Sequence, residues 1–168
     1  ANDVKATLVF VGDGSDRTII EAEARARGLQ DRVVITGQVS HRVAMAALKA
    51  SDFSIAPMQG SALLETLAAG IPTIAYDHET HAALIESGVN GILVRHRDVK
   101  AAASQLRALL LNNALASTMG QKAHDRVAER YNVHAMRKLL KTTFIDAYRA
   151  RSSNLNLQKG TQNEGLVT

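Results

Sequence analysis

The chain has 168 residues, with 20 Lys or Arg against 16 Asp or Glu, so its formal net charge is +4. Its 46% apolar and 21% charged residues exclude a largely disordered chain and a fibrous repeat. The absence of cysteine excludes a disulfide scaffold, thiolate zinc sites and cysteine nucleophiles. Aromatic residues make up 4% of the chain, too few for the base-stacking platform of a nucleic-acid binder, and we expect no nucleic-acid partner.

Apolar runs and helix-boundary residues predict strands and helices in strict alternation, followed by two further helices. The predicted strands are residues 6–11, 32–36, 53–56, 73–76 and 92–94. The predicted helices are residues 16–27, 40–50, 61–69, 79–86, 98–111, 114–130 and 133–151. The first strand is almost continuously apolar, which is typical of a strand buried on both faces. Ser40, Ser61 and Asp98 are the predicted caps of their helices.

This alternation predicts an α/β fold with an open, doubly wound parallel sheet of the Rossmann-like type and helices on both faces. We expect one domain over residues 1–151, its C-terminal helices extending beyond the sheet, and a disordered polar tail over residues 152–168. No apolar run reaches the ~18–20 residues that span a bilayer, and no signal peptide opens the chain, so the expected compartment is the cytoplasm.

The last predicted helix has one apolar face and several basic residues. The apolar positions are Val133, Met136, Leu140, Phe144 and Ala147. We expect part of this face to pack on the sheet and part to meet a second domain. A solvated surface is favoured over a lipid or nucleic-acid contact for its basic residues.

Ligands of open α/β sheets bind beyond the carboxyl ends of the strands, where three predicted loops carry glycine. The loop from Gly12 to Gly14 stops at G-x-G without the third glycine of a dinucleotide fingerprint, so a tight turn is favoured over a phosphate cradle. In the second loop, Gly37 is followed by Gln38 and Val39, and their exposed backbone could hydrogen-bond the edge of a base.

The third loop leads into the helix predicted from Ser61. The backbone N–H groups of Gly60, Ser61 and Ala62 would lack intrahelical partners there, which suits a phosphate. Glu65, about one turn further on, could accept two hydrogen bonds from the vicinal diol of a ribose. From the residues alone, a plain favourable charge in the first turn, worth ~0.3–1 kcal/mol, is slightly favoured as the explanation of Glu65.

Five segments together resemble the retaining glycosyltransferases with two Rossmann-like domains, known as group 1 or family 4. They are LVFVGDG (8–14), RVVITGQV (32–39), ALLETLAAGIPTIAYD (62–77), SGVNGILV (87–94) and ERYN (129–132). The resemblance covers residues 8–148, and its most specific part is the LLE-x-L-A-A-G-x-P segment.

The resemblance implies a nucleotide-sugar donor site in a carboxyl-terminal domain, with a UDP-, GDP- or ADP-sugar as donor. The matching glutamate holds the ribose, the matching helix amides meet the distal phosphate, and the second glycine loop meets the base. The residues carried over in this way are Gly12, Gly37, Gln38, Val39, Gly60, Ser61, Ala62 and Glu65. The implied chemistry is sugar transfer with retention, without metal or other cofactor, in the synthesis of polysaccharide, lipopolysaccharide or glycolipid.

The sequence departs from the family pattern at three places. Pro57 stands where the family has a first glutamate that contacts the donor sugar, and Gln59 is the nearest polar substitute. The Arg and Lys that clamp the diphosphate precede the first matching segment, and the acceptor domain with the catalytic residues is absent. We therefore expect an incomplete donor-binding domain whose glycan or lipid-linked acceptor is held elsewhere, with peripheral association of the parent protein at the inner face of the cell membrane.

Other chemistries are less favoured. His78 and His81 are three residues apart rather than the four of a zinc-protease helix, which favours surface or capping roles over a contact with sugar or acceptor. Asp77 is expected to cap the helix after the fourth strand. A nucleotide-sugar epimerase-like domain and a non-catalytic flavodoxin-like or receiver-like module remain as alternatives, although a receiver needs clustered acidic residues and only Asp13 qualifies.

Overall fold

The computed structural model describes residues 5–57, 60–78 and 80–163, with side chains described as far as Arg151. The strands within this part are β1 (Leu8–Phe10), β2 (Val33–Ile35), β3 (Ser54–Ala56), β4 (Thr73–Asp77) and β5 (Ile92–Arg95). The helices are α1 (Arg17–Ala26), α2 (His41–Lys49), α3 (Ser61–Ala68), α4 (His81–Leu84), α5 (Val99–Leu110), α6 (Asn113–Arg130) and α7 (Val133–Asn163). The predicted order of strands and helices is confirmed.

The chain divides into two compact units, Ala1–Ile55 and Ala56–Thr168. Strands β1 and β2 form a parallel pair, with Leu8 opposite Val33. Strands β3, β4 and β5 form a separate sheet in that order, in which β4 runs parallel to β5. The predicted α/β fold is confirmed, but the described strands form two sheets rather than one.

The strands of the first unit are less buried than the sequence predicts. Leu8 is 44% exposed and Val9 46% exposed, so the prediction that β1 is buried on both faces is wrong. The physical reason is that β1 has a single neighbouring strand, β2, and that α1 packs against β2. Ala24 is the buried side chain of α1.

The core of the second unit lies between its sheet and helices α3 and α6. Leu63 and Leu67 are four residues apart on α3, so they share one face of the helix, and both are buried. They belong to one cluster with Ile85, Ala123 and Val127. This packing fixes which face of α3 points inward and which faces away from the core.

Helix α3 ends against α6 at a close contact between two glycines. Gly70 has a φ of 72°, a left-handed conformation that stops the helix, as the sequence predicted. A side chain on Gly120 of α6 would overlap the Gly70 carbonyl. The Ala68 carbonyl accepts a hydrogen bond from His124 Nδ1 at 2.7 Å. The C-terminal end of α3 is therefore held from α6, which fixes the direction of its N-terminal end.

Of the three caps predicted for α2, α3 and α5, two are confirmed and one is wrong. Ser40 accepts from the Val43 N–H at 3.4 Å, and Asp98 accepts from the Ala101 N–H at 2.9 Å. Ser61 is the first residue of α3, and Gly60 occupies the cap position before it. A glycine cap leaves the first N–H groups of the helix without a side-chain acceptor from that position.

Helices α4 and α7 differ in length from the prediction. Helix α4 ends at Leu84 because Ile85 adopts an extended backbone conformation (φ −111°, ψ 122°). The backbone of α7 continues to Asn163 rather than ending at Arg151, and no proline interrupts that segment. Disorder of the segment from Ser152 onward in solution stays a prediction, and residues 164–168 lie outside the described part.

The apolar face of α7 is largely open. Val133 is 69% exposed and Phe144 72% exposed, and Met136 and Leu140 are exposed as well. The prediction that part of this face packs on the sheet is wrong for these four residues, whose side chains are exposed along a helix that packs against α6. Among the described helices, none combines the length and apolar composition needed to cross a bilayer.

Candidate functional site

Two glycine loops meet at the carboxyl ends of β1 and β2 in the first unit. Gly12 and Gly37 form an isolated antiparallel bridge, and the Gly12 N–H donates to Thr36 Oγ1 at 3.1 Å. The Thr36 N–H donates to the Phe10 carbonyl at 3.0 Å. Gly37 has a φ of 69°, a conformation that glycine adopts readily. The structure thus joins two of the loops that the sequence singled out.

Arg17 lies beside this junction and was missed by the sequence analysis. Its Nη1 is 3.5 Å from Asp13 Oδ2, and its Nε donates to Glu21 Oε1 at 3.0 Å. A Cβ on Gly37 would lie 3.7 Å from Arg17 Nη1 and 3.9 Å from Asp13 Oδ2. Arg17 and Glu21 are four residues apart on α1, and Asp13 lies four residues before Arg17 in the preceding turn; this spacing of opposite charges is the signal that could have found the cluster.

A cleft of about 230 Å³ opens at the same end of β1 and β2. Its lining combines half-buried apolar side chains with polar groups at the turn into α1. The lining residues are Phe10, Val11, Gly12, Asp13, Gly14, Asp16, Arg17, Ile20 and Ile35. Gln38 is exposed and Val39 half-buried on the neighbouring loop.

In the second unit, the N-terminal end of α3 carries the other predicted residues. Ser61 and Ala62 are exposed, and Gly60 precedes them as the cap. The first backbone N–H groups of a helix have no intrahelical acceptors, and the helix dipole is positive at this end. The arrangement is one that a phosphate or another anion can satisfy.

Glu65 lies on the outward face of α3. It is half-buried, whereas Leu63, Thr66 and Leu67 on the opposite side are buried. Because residues four apart share a helix face, Glu65 lies one turn after Ser61 on the same side. Glu65 is therefore on the side of α3 that faces away from the core.

The structure leaves the predicted sugar contact open. Gln59 lies outside the described residues, so its suggested role stays a prediction. Pro57 follows β3 directly and supplies neither a carboxylate nor a backbone donor.

The two histidines after β4 lie in different environments. His81 is 0% exposed, and its Nδ1 is 2.7 Å from the Tyr76 carbonyl. The prediction of a surface or capping role is wrong for His81, because α4 packs its first residue onto the end of β4. The ring of His78 lies 4.7 Å from that of His96, which meets Tyr76 edge-on at 5.4 Å.

The prediction that Asp77 caps α4 is wrong. It ends β4, where it lies opposite Arg95 of β5, and Thr80 takes the cap position of α4. Within residues 5–57, 60–78 and 80–163, no group of three or more His, Asp or Glu side chains is arranged to hold a metal ion. Independence from metal stays a prediction.

The parallel strands, crossover helices and glycine loops define a Rossmann-like α/β fold, and solved structures share this fold. The match with sucrose-phosphate synthase of Thermosynechococcus elongatus covers 86% of this chain and 39% of the synthase chain, with a TM-score of 0.75 and 24% identity. The match with HepE of Anabaena, solved in complex with UDP, covers 84% of this chain and 41% of the HepE chain, with a TM-score of 0.74 and 21% identity. The match with the C-terminal domain of a group 1 glycosyl transferase of Francisella tularensis covers 76% of this chain and 70% of that domain's chain, with a TM-score of 0.68 and 21% identity.

The profile of the family described as Glycosyl transferases group 1 matches residues 1–126. The chain belongs to this family, and the resemblance seen in the sequence is confirmed. Alpha-D-kanosaminyltransferase of Streptomyces kanamyceticus is 31% identical over 132 residues, which are 76% of this chain and 34% of that protein. Phosphatidyl-myo-inositol mannosyltransferase of Mycobacterium leprae is 33% identical over 113 residues, 64% of this chain and 29% of that protein. The chain thus spans about a third of the length of these relatives.

Proposed function

We propose that this chain is the donor-binding part of a glycosyltransferase that moves a sugar from a nucleoside diphosphate to an acceptor with retention of anomeric configuration. The observation that carries the proposal is the geometry of α3. The exposed residues Gly60, Ser61 and Ala62 begin α3, and Glu65 lies one turn further on, away from the buried side of the helix. A diphosphate accepts hydrogen bonds from the first amides of a helix, and a ribose diol donates to a carboxylate.

The first unit is proposed to hold the base. The loop of Gly37, Gln38 and Val39 follows β2, and its bridge to Gly12 fixes the backbone that would meet the base edge. The solved HepE complexes, with UDP and with UDP-glucose, support a nucleotide-sugar donor for a domain of this fold. Family membership favours a transferase over the epimerase-like and receiver-like alternatives.

The donor-binding domain is proposed to be incomplete over residues 1–151. The exposure of Leu8, Val9, Val11 and Val34 on or beside β1 and β2 supports this, since apolar strand faces are normally covered in parallel sheets. The diphosphate clamp and the acceptor site would then belong to other parts of the parent protein.

For the parent protein we propose a glycan or lipid-linked acceptor, catalysis without metal or other cofactor, and a cytoplasmic location at the inner face of the cell membrane. The relatives support this range of acceptors, since they include the mannosyltransferase of Mycobacterium leprae and an alpha-monoglucosyldiacylglycerol synthase of Streptococcus pneumoniae. Amides at a helix N-terminus support metal independence, because they stabilise a diphosphate leaving group electrostatically.

Calorimetric titration of the chain with UDP, GDP and ADP tests the proposal, and thermal melting gives a second readout. A ligand at ~100 times its dissociation constant adds ~2.7 kcal/mol to the free energy of unfolding. We expect binding of at least one diphosphate. If all three leave both the calorimetric and the melting curves unchanged, this chain is not a donor-binding domain.

The ribose role of Glu65 has its own test with UDP and 2′-deoxyuridine diphosphate. We expect the wild type to bind UDP more tightly, and Glu65→Ala to bind both ligands equally, because the carboxylate that meets the 2′-hydroxyl is gone. Glu129→Gln, at an exposed position of α6, is the matched control and should keep the preference. A preference for UDP that survives in Glu65→Ala rules out the ribose contact.

A further inference from the structure

We infer that Arg17 determines which nucleobase the first unit accepts, by donating a hydrogen bond to a base carbonyl. The inference rests on the proposed function and adds a residue to it. Arg17 lines the cleft at the ends of β1 and β2, and its guanidinium lies beside Gly37, the first residue of the loop proposed to meet the base.

The cleft has the size and lining for a base rather than for a whole nucleotide-sugar. Its volume of about 230 Å³ lies below the ~300–1,000 Å³ of pockets that take complete drug-sized ligands. Phe10, Ile20 and Ile35 give it half-buried apolar walls, against which the face of a planar base can pack. The polar residues lie at the turn from β1 into α1, where an edge of the base would be read.

The guanidinium is held in place and still has donors to offer. Its Nε donates to Glu21 at 3.0 Å, and its Nη1 is 3.5 Å from Asp13. Neither of these two contacts involves Nη2, which carries two further N–H donors. A guanidinium donates and never accepts, so Arg17 can pair with a base carbonyl and not with an exocyclic amino group.

The carboxylate next to Arg17 already makes two contacts within the protein. Asp13 Oδ1 accepts from the Gly14 N–H at 3.0 Å, and Oδ2 faces Arg17. Asp16 Oδ1 accepts from Ser15 Oγ at 3.2 Å. The expected discrimination is therefore in favour of uracil over cytosine and of guanine over adenine, because the carbonyl of the first base in each pair is replaced by an amino group in the second.

The experiment titrates the chain with UDP, CDP, GDP and ADP by calorimetry. For each pair that binds, we expect the carbonyl-bearing base to bind at least about tenfold more tightly, as for a hydrogen bond to a charged group. In Arg17→Met, the ratio of the two affinities within each pair should fall close to one, while the affinity for CDP or ADP should not change. A residue that merely supports the fold would weaken all four ligands alike.

Arg25→Met is the matched control, because Arg25 is on the same helix and pairs with the same Glu21, at 3.6 Å, but does not line the cleft. It should keep the ratio. Asp13→Asn, which removes the charge that positions Arg17, should lower the ratio and carries the test if Arg17→Met fails to fold.

Three outcomes overturn the inference while leaving the proposed function intact. The affinity ratio between the two bases of a pair could stay unchanged in Arg17→Met, or it could fall as far in Arg25→Met as in Arg17→Met. The wild type could also prefer the amino-bearing bases. Failure of the wild type to bind any of the four nucleotides overturns both.

Discussion

The carbonyl of Gly70 lies against the α-carbon of Gly120, so that α3 ends directly on the backbone of α6. A Cβ on Gly120 would overlap the Gly70 oxygen, and it would also lie 3.1 Å from the Gly70 carbonyl carbon and 3.3 Å from Pro72 Cδ. Because these neighbours are backbone atoms and a proline ring, none can rotate aside. This contact sets the direction of the helix that carries Glu65.

We expect Gly120→Ala to destabilise the second unit by at least about 2 kcal/mol, since inserting atoms into a packed site costs ~1–3 kcal/mol. Helix propensity alone predicts the opposite sign, because alanine is about 1 kcal/mol better than glycine inside a helix. Urea unfolding measures the change in the free energy of unfolding. Gly14→Ala, with open space around the added Cβ, should change it by less than about 0.5 kcal/mol. A more stable Gly120→Ala would contradict the packing described.

Asn90 is a buried amide whose two ends both make hydrogen bonds. It is 2% exposed; its Oδ1 accepts from the Glu86 N–H at 2.7 Å, and its Nδ2 donates to the Leu84 carbonyl at 3.0 Å. Asn90→Asp turns the donor into a second acceptor and buries a charge. We therefore expect the free energy of unfolding to fall by at least about 2 kcal/mol at neutral pH. Asn112→Asp is the matched change at an exposed helix cap, where aspartate caps as well as asparagine. Thermal unfolding of the two variants should therefore differ clearly.

Ser61 offers a test of the phosphate position that separates stability from binding. Aspartate in the first turn of a helix is favourable by ~0.3–1 kcal/mol, so Ser61→Asp should not lower the melting temperature. Its charge would repel a diphosphate at the same amides, and we expect at least about a tenfold loss of affinity for UDP. Ser61→Ala should bind as the wild type does, because the backbone amides supply the contact. Unchanged UDP binding by Ser61→Asp would place the phosphate elsewhere.

The hydroxyl of Thr36 links the two glycine loops of the first unit, and its removal should loosen them. Thr36→Val keeps the shape but loses the acceptor of the Gly12 N–H, a bond of 3.1 Å worth about 1 kcal/mol. We expect faster hydrogen exchange at the Gly12 amide, measured by NMR, and roughly threefold to tenfold weaker nucleotide binding. Thr36→Ser retains the hydroxyl and should restore both. Equal exchange rates at Gly12 in the valine and serine variants would show that the link is unimportant.

Local features of the sequence predicted most of the elements. Apolar runs bounded by glycine gave the order of strands and helices, and the caps at Ser40 and Asp98 followed from residues within one turn. The segment around Glu65 was recognisable because a family motif is a short, contiguous pattern. The sequence also placed Glu65 and Ser61 on one helix face, since that relationship depends only on helical spacing.

Contacts between distant segments were decided by the tertiary structure alone. The sequence predicted a continuous sheet with a fully buried first strand, whereas hydrogen bonding divides the described strands into two sheets and leaves Leu8 exposed. It assigned His81 to the surface, although the end of β4 covers it. It passed over Arg17, because the proximity of Gly37 to that side chain arises only when β1 and β2 pair. Periodicity and capping act within a few residues, while strand pairing and burial depend on which parts of the chain are present to cover one another.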